Sequence, residues 1–451
     1  MSIKRIVFIG NCHKTFFWAK VGIALQNLGY QIDWILVNKS QKDEIHRQFP
    51  GSNVLYLPLN IENQGNSKDI KINDLVYRDR RLQHERELGL DYLQNIQHPI
   101  SSFLENGQKS LVIGELTYGY EMVIFRLVNL MEGYYWSSPF LTRNPAGKFS
   151  FFTNESFSRE LEIPYDSLNK INPKQNEDLD YIHANQNHVR DMSSANYIFR
   201  KFSTFISNKD YDKFDPTWHS NSRKDKIKKN YKWMVNRLTY KFVKRYFLSE
   251  LDQSKRYIIF PLHLEPELNI DTCGRYWENQ LETILKIWRQ LLPNDVLLVK
   301  EHPVAIGNRG YSWFKELEAY PNIVVLDEKE SVIKILEFVE YVFTISGTMG
   351  LEAALAGKKV ICFGGTVYDR LDNVKRVGIN SLLLSKNIDD LYLNYGDEPI
   401  KLNHEEFMKL VQVRSFDGDP EGDLTANPNV YSSNNISLVA GAFDVVCKEL
   451  V

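Results

Sequence analysis

The chain has 451 residues, 43% of them hydrophobic, and a formal net charge of −2 at pH 7. The length exceeds that of a usual single domain and predicts two domains, while a charge near zero argues against nucleic acid as a partner. No apolar run reaches the roughly twenty residues of a membrane span, and Met1–Arg5 leads into a predicted strand rather than a signal peptide. We therefore expect a cytoplasmic protein with four reduced, structural cysteines.

Strand and helix signals alternate through the N-terminal part of the chain. The predicted strands are Ile6–Ile9, Gln31–Val37, Val54–Leu57 and Ser110–Ile113. The predicted helices are Phe16–Leu28, Arg78–Leu104 and Glu121–Met131. Strands separated by helices imply right-handed crossovers and a parallel sheet covered on both faces. This part is predicted to be a Rossmann-like domain.

The pattern changes between about residues 140 and 248. The sequence there is polar, aromatic and rich in lysine, and it shows no clear strands from Phe140 to Leu248. It ends in a basic stretch, Arg223–Arg245, in which lysines and arginines are interleaved with aromatic and aliphatic residues. We predict a helical, basic insertion of about 140–248 that completes an N-terminal domain, 1–248.

The alternation restarts in a predicted C-terminal domain, 249–451. Its predicted strands are Tyr257–Phe260, Asp295–Val299, Ile323–Leu326, Tyr341–Ile345 and Lys359–Phe363. Its predicted helices are Gly274–Leu291, Tyr311–Ala319, Val332–Phe338 and Thr348–Ala356. The class is therefore α/β, with a second Rossmann-like sheet. The apolar segment Ile436–Val446 is predicted to be a helix that docks back on one of the domains.

Two polar turns follow predicted strands of the second domain, Lys300–Pro303 and Ser346–Gly357. Open α/β sheets bind ligands at the carboxyl ends of their strands. The second turn can hold an anion, because its glycines permit close approach and the first N–H groups of the following helix are free. Two structural interpretations stay open: Ser346 or Thr348 as a plain helix N-cap, and His302 and its proline as a simple strand end.

Two Rossmann-like domains that face a cleft, with anion-binding turns in the second, describe the GT-B architecture of glycosyltransferases. The sequence resembles bacterial capsule-polysaccharide biosynthesis transferases, a group that includes the β-Kdo transferases. The matching segments are Tyr257–Glu267, Lys300–Pro303 and Ser346–Gly364. Their His-Pro and Ser/Thr elements are similar to those of bacterial sialyl- and polysialyltransferases. The likeness covers about 250–370, with a weaker one at Arg143–Phe149.

The resemblance implies a donor in which CMP activates a 2-keto sugar acid such as Kdo, and no other cofactor. The leaving phosphate carries negative charge that must be stabilised as the bond breaks. His302 is implied to contact this phosphate or the cytidine, together with Ser346 and Thr348, and Glu352 to accept from the ribose hydroxyls. The implied donor-binding residues are His263, Glu267, Lys300, His302, Pro303, Ser346, Gly347, Thr348 and Glu352. A surface carboxylate on a helix is the alternative for Glu352.

A glycosyl transfer also needs a base for the acceptor hydroxyl, or a carboxylate nucleophile if configuration is retained. In GT-B enzymes this group usually comes from the N-terminal domain. Glu115 is the best candidate, because it follows a buried strand and precedes a helix; Glu121 is less well placed. A charge at the start of a helix is the alternative for Glu115. His13 and Lys14 follow the first strand and are weaker candidates for contacting an anionic acceptor, with a solvated loop as the alternative.

The acidic loop Asp417–Asp423 resembles a calcium loop only superficially, since its spacing differs and Pro420 interrupts it. We expect no metal there. The expected acceptor is a glycan or a lipid-linked glycan. The basic stretch Arg223–Arg245 either lies on an anionic membrane surface or forms a helix packed between the domains with a solvated basic face.

The primary hypothesis is a metal-independent glycosyltransferase of bacterial surface polysaccharide, with the inner face of the cell membrane as one place of action. Two alternatives stay open. One is a UDP-sugar transferase or an epimerase on the same architecture. The other is a catalytically silent nucleotide-binding scaffold of capsule assembly, because one fold hosts many functions.

Overall fold

The computed structural model describes residues 3–11, 14–62, 65, 70–105, 108–162, 212–217, 223–265, 267, 269–396, 401–424 and 426–450. The chain divides into two compact units. Unit 1 holds the described residues up to 162, 212–217 and those from Lys409 onward. Unit 2 holds the described residues from 223 to Met408.

The strands, in chain order, are β1 Arg5–Ile9, β2 Gln31–Leu36, β3 Val54–Tyr56, β4 Ser110–Ile113, β5 Tyr134–Leu141, β6 Lys148–Phe152, β7 Arg256–Pro261, β8 Asp295–Lys300, β9 Ile323–Leu326, β10 Tyr341–Thr344, β11 Lys359–Cys362, β12 Val374–Arg376 and β13 Phe416–Asp417. They form one sheet in each unit. The 7-stranded sheet of unit 1 has the order β13-β6-β5-β4-β1-β2-β3, and the 6-stranded sheet of unit 2 has the order β12-β11-β10-β7-β8-β9.

The α-helices of the described residues are α1 Lys14–Asn27, α2 Lys39–Gln48, α3 Asn73–Arg78, α4 Arg86–Asn95, α5 Gln97–Leu104, α6 Gly119–Val128, α7 Arg223–Thr239, α8 Gln280–Trp288, α9 Tyr311–Glu318, α10 Val332–Phe338, α11 Thr348–Leu355, α12 Ile379–Leu384, α13 Ile388–Asn394, α14 His404–Val413 and α15 Ser433–Glu449. Short 3₁₀ segments lie at Leu82–His84, Tyr240–Phe242, Leu248–Glu250, Pro303–Ala305 and Val367–Arg370, and a π-helical turn at Asn269–Cys273. Within the described parts of the chain, none of the helices has the length and hydropathy needed to span a bilayer.

Both sheets have a Rossmann-like strand order. All pairs from β3 through β5 in unit 1, and all pairs in unit 2, are parallel. The chain order reverses between β1 and β4 in unit 1 and between β7 and β10 in unit 2. The predicted α/β class with two Rossmann-like domains is confirmed. The two reversal points are the places where such sheets bind ligands.

Two predicted helices are shorter than expected. The helix predicted over Arg78–Leu104 is divided into a 3₁₀ turn, α4 and α5. Pro99 has no N–H to donate to the carbonyl of Asn95, so the helical hydrogen-bond ladder is interrupted there. The helix predicted from Gly274 begins only at Gln280, where the side chain of Asn279 caps it.

The segment predicted to lack strands contains part of an antiparallel hairpin, β5 and β6. Phe149 and Phe151 on β6 are buried in the same core as Phe416 on β13. Burial of these rings against the rest of unit 1 explains why aromatic sequence that looks irregular forms strands.

The C-terminal segment belongs to unit 1, which differs from the predicted domain 249–451. Phe443 on α15 is fully buried, with its ring centroid 5.0 Å from that of Phe151 and 5.8 Å from those of Phe8 and Trp18. Conversely, residues 223–248 belong to unit 2 rather than to the predicted N-terminal domain. The apolar face of the last helix therefore completes the N-terminal core.

Candidate functional site

His263 lies at the reversal point of unit 2, directly after β7. Its ring Nε2 accepts a hydrogen bond from the backbone N–H of Ile345 at 3.1 Å and lies 3.2 Å from the Thr344 hydroxyl oxygen. Burial, with smaller contributions from His302 and Arg309, lowers its pKa to about 3. The imidazole is therefore neutral, with its proton on Nδ1, and it ties the end of β7 to the end of β10.

His302 follows β8, the strand next to β7. Its Nδ1 accepts from the backbone N–H of Val304 at 3.3 Å. Burial, followed by the nearby charges of Lys300 and Arg309, lowers its pKa to about 4. A neutral ring whose Nδ1 is an acceptor carries its proton on Nε2. The Nε2–H has no partner among the described residues, so it is available to a ligand.

A buried ion pair supports both histidines. The Arg309 guanidinium donates to the carboxylate of Glu301 at 2.8 and 3.1 Å and to the backbone carbonyl of His263 at 2.8 Å. The same Glu301 carboxylate accepts from the backbone N–H of His302 at 2.7 Å. One network thus fixes the two turns that carry the histidines.

The first turn of α11 lies beside His263. Its N-cap is Gly347, no side chain caps the helix, and the backbone N–H groups of Thr348 and Met349 have no partner among the described residues. The Ser346 or Thr348 N-cap considered from the sequence is therefore not formed. Free N–H groups at a helix start, together with the helix dipole, favour an anion.

The glycines of this turn are required by close packing. A Cβ at Gly347 would lie 2.6 Å from Cε1 of His263, and a Cβ at Gly350 would lie 2.5 Å from the hydroxyl of Tyr368. That hydroxyl donates to the carbonyl of Gly347 at 2.8 Å. The absence of side chains at these two positions therefore brings the helix start against the histidine.

Glu352 lies one turn farther along α11. Its side chain is half-buried and has no hydrogen-bond partner among the described residues. Burial raises its pKa to about 7. A carboxyl group near half-ionisation and without a protein partner is suited to accept hydrogen bonds from ligand hydroxyls.

The remaining predicted residues of unit 2 have other contacts. The Lys300 ammonium is buried, which lowers its pKa, and donates to the carbonyl of Glu328 at 3.0 Å. Pro303 begins the short 3₁₀ segment after His302. Glu267 precedes the π-helical turn, and its carbonyl accepts from the N–H groups of Ile270 and Asp271. No contact in the structure tests a ligand-binding role for these three residues.

A second polar cluster lies at the reversal point of unit 1. Lys14, at the start of α1 after β1, pairs with Glu115, which follows β4, and its ammonium lies 2.8 Å from the carboxylate of Glu421. Burial alone would lower the pKa of Lys14, but the two carboxylates more than offset this and raise it. Glu115 remains partly exposed, with 23% of its side chain accessible. Lys14 is therefore a buried structural cation rather than a residue of a solvated loop.

Glu421 comes from the acidic loop near the C-terminus. Burial would raise its pKa, but Lys14 and Arg143 more than offset this and lower it. Its second carboxylate oxygen, Oε1, is buried and has no hydrogen-bond partner among the described residues. The loop also pairs Asp417 with Lys148 at 2.7 Å. Within the described residues, no cluster of three or more His, Cys, Asp or Glu side chains suits a metal ion.

Glu121 is the fully buried carboxylate of this region. It accepts from the backbone N–H groups of Glu115, Thr117 and Tyr118 at 2.8 to 3.0 Å and from the side chain of Asn11. Burial, and then the charge of Glu115, raises its pKa to about 7. Glu121 thereby shapes the turn that presents Glu115.

His13, the other residue predicted to contact an acceptor, lies outside the described residues.

The sequence did not single out several members of these clusters. Three of them are buried or nearly buried charges: Arg309, Glu301 and Glu421. Their structural role is evident only from the ion pairs that they form. Glu301 lies inside the predicted Lys300–Pro303 turn, which was an available signal. Glu421 lies far from Lys14 in the chain, so no local pattern predicts their contact.

Residues 183–371 match the family model described as capsule polysaccharide biosynthesis protein. The family resemblance is confirmed. The matched segment includes every predicted donor-binding residue of unit 2, whereas Lys14, Glu115 and Glu421 lie outside it. Among curated proteins, none matches this chain significantly.

The chain is also similar to solved structures. One is a β-Kdo 2,7-transferase, KpsC, from Thermosulfurimonas dismutans, with 15% identity, a TM-score of 0.36, and coverage of 90% of this chain and 99% of that one. The β-Kdo 2,4-transferase of the same organism's KpsC has 12% identity, a TM-score of 0.32, and coverage of 86% and 94%. A UDP-GlcNAc 2-epimerase from Neisseria meningitidis bound to UDP-GlcNAc has 14% identity, a TM-score of 0.25, and coverage of 99% and 100%. At such TM-scores the likenesses establish neither a common detailed fold nor a common activity.

Proposed function

We propose that the chain is a glycosyltransferase that moves a sugar from a nucleotide-activated donor to a growing bacterial capsular or surface polysaccharide. The observation that carries the proposal is the reversal point of unit 2. There the Nε2–H of His302 and the N–H groups at the start of α11 are a set of hydrogen-bond donors without partners among the described residues, and His263 ties the ends of β7 and β10 together beside them. This set lies within the segment that matches the capsule polysaccharide biosynthesis family.

The proposed donor is a CMP-linked sugar acid, such as Kdo or a nonulosonic acid of the sialic type. His302, neutral near pH 7, donates from Nε2 to an oxygen of the single phosphate, and the N–H groups of Thr348 and Met349 add two further donors. Ser346 contributes a hydroxyl in the same turn. Glu352 accepts from the ribose hydroxyls. These donors stabilise the negative charge that develops on the phosphate as CMP leaves.

The proposed reacting carboxylate is Glu115 of unit 1. As a base it takes the proton of the acceptor hydroxyl while the acceptor oxygen bonds to the anomeric carbon and CMP departs with the electron pair of the broken bond. As a nucleophile it would form that bond first and be displaced by the acceptor in a second step. Lys14 pairs with the carboxylate of Glu115 and holds it in place.

A donor screen tests this proposal. The purified chain is incubated with CMP-, UMP- and UDP-activated sugars and a capsular oligosaccharide, and the released nucleotide is measured. We expect release of CMP. Release of UDP or UMP instead would favour a UDP-sugar transferase, and interconversion of a UDP-sugar without an acceptor would favour an epimerase.

Calorimetric titration separates an enzyme from a scaffold. We expect CMP to bind more tightly than UMP and UDP, and His302→Ala to weaken CMP binding by roughly tenfold or more, the range of one hydrogen bond to a charged group. Tight CMP binding without turnover of any activated sugar would instead identify a nucleotide-binding scaffold.

A further inference from the structure

Helix α7 packs on unit 2 with one of its faces. The side-chain amide of Asn236 donates to the carbonyl of Gly307 at 3.1 Å, and Arg237 donates to the carbonyl of Ile306 at 3.3 Å. Trp233 fills the space beside Gly307, where an added Cβ would lie 2.9 Å from the indole nitrogen. These contacts fix the orientation of α7 on unit 2. The residues that it contacts, Ile306 and Gly307, follow His302 closely in the chain.

The opposite face of α7 is apolar and exposed. Residues spaced three or four apart form one stripe along a helix. The stripe consists of Ile227, Tyr231, Met234 and Leu238, with exposures of 58%, 64%, 37% and 59%. Phe242, 66% exposed, continues it past the end of the helix. The helix therefore packs on unit 2 with its Trp233 and Asn236 face, while its lysines and this apolar stripe are exposed.

Lysines flank this stripe. Every charged residue from Lys226 to Arg245 is basic. Lys228, Lys229 and Lys232 are exposed and have no ion-pair partner among the described residues, and the Lys241 ammonium lies 5.0 Å from the ring centroid of Phe242. Lys228, Lys229 and Lys232 therefore place positive charge without an ion-pair partner among the described residues beside the stripe.

We propose that the α7 stripe, defined as Ile227, Tyr231, Met234, Leu238 and Phe242, lies on an anionic lipid surface. An amphipathic helix with aromatic and aliphatic residues on one face and lysines beside them binds in the interface of a bilayer. Its lysines gain from the negative surface potential of anionic lipids. A second copy of the chain is a poor occupant, because docking stripe on stripe would bring lysines against lysines. The proposal is independent of the transfer reaction.

The test is sedimentation of the full chain with vesicles. Vesicles of phosphatidylcholine alone are compared with vesicles that also contain phosphatidylglycerol, at low and high salt. We expect strong binding only to the anionic vesicles, weakened by salt because the attraction of exposed charges is screened. Absence of a difference between the two vesicle types overturns the proposal.

Matched variants locate the binding surface. Tyr231→Ser with Leu238→Ser should lower the partition coefficient by roughly tenfold or more, and Lys228→Gln with Lys232→Gln by roughly fivefold for each lysine. Leu383→Ser with Leu393→Ser changes apolar residues that are as exposed, at 71% and 72%, but lie on other helices of unit 2. This control should bind like the parent chain. All substituted side chains are exposed, so melting temperatures should stay close to that of the parent.

Two outcomes contradict the assignment of the surface. Equal loss of binding in the Leu383 and Leu393 control would show that general hydrophobicity, not the stripe, drives binding. Self-association of the parent chain without vesicles, abolished by Tyr231→Ser with Leu238→Ser in analytical ultracentrifugation, would make the stripe a contact between copies.

Discussion

At the scale of single residues, the two histidines of unit 2 share one property. His263 and His302 are both neutral, because burial and, to a smaller extent, neighbouring positive charge lower their pKa values to about 3 and about 4. A neutral imidazole can accept on one nitrogen and donate on the other. In His263 the accepting nitrogen joins two strands, and in His302 it closes its own turn. The neutral ring of His263 thus has a structural use, whereas the neutral ring of His302 keeps an N–H donor that is available to a ligand.

His263 makes the stability of the protein depend on pH. Below its ordinary pKa of 6.5 the histidine is protonated in the unfolded chain but stays neutral in the folded one down to about 3. The unfolded state then binds more protons, so the folded state loses stability as the pH falls, by about 2 kcal/mol between about pH 7 and pH 5. His263→Gln, which can still accept from the N–H of Ile345, should lower this loss. Melting temperature against pH measures it, and the exposed His46→Gln should behave like the parent.

Glu352 should make nucleotide binding depend on pH. With its pKa raised to about 7 by burial, the carboxyl is mostly protonated below that pH and mostly ionised above it. Since the carboxylate is the better acceptor for ribose hydroxyls, CMP affinity should rise by up to about tenfold from about pH 6 to pH 8. Glu352→Gln should flatten this dependence in calorimetry. An unchanged pH profile in that variant would leave Glu352 a surface carboxylate.

Glu115→Gln tests the reacting carboxylate. The amide keeps the size of the side chain but neither takes a proton nor attacks carbon, so transfer should fall by at least about a hundredfold while CMP binding is unchanged. Lys14→Met should also lower transfer, and it should destabilise unit 1 because two carboxylates lose their cation. An active Glu115→Gln variant would remove this residue from the mechanism.

At the scale of elements, the position of the start of α11 depends on its glycines, because they allow close packing against His263 and Tyr368. Gly350→Ala would place a Cβ 2.5 Å from the Tyr368 hydroxyl and should lower the free energy of unfolding by about 1–3 kcal/mol. It should also weaken CMP binding, because the helix start moves. Gly441→Ala is the matched control: it lies in helix α15 with nothing within 4 Å of an added Cβ, and it should be neutral or stabilising. Equal destabilisation by both would contradict the packing argument.

At the scale of the whole molecule, two cores are expected to respond separately. Phe443→Ala empties a fully buried site of unit 1, at a cost of about 3–5 kcal/mol, and should raise hydrogen exchange in β1, β2 and β4. Phe314→Ala does the same in unit 2 and should raise exchange in β7 and β8. Faster exchange in β7 after Phe443→Ala would contradict the placement of the last helix in unit 1.

The sequence by itself determined the local elements and their class. Ser110–Ile113, Ile323–Leu326 and Val332–Phe338 have the predicted bounds, because a short run of buried or periodic residues determines each one. The two turns at the ends of β8 and β10 were also predictable, since glycine, proline and hydroxyl side chains mark them locally.

Only the tertiary structure decided which distant residues meet. The last helix joins the N-terminal core, and Glu421 reaches Lys14, through contacts between parts of the chain that share no local pattern. The protonation of His263 and His302 and the exposure of the α7 stripe likewise depend on burial, and burial is a property of the packed molecule. Hydrophobic periodicity is a property of one segment, so it predicts that a helix or strand forms there. Which apolar face of that element becomes buried depends on contacts with distant segments.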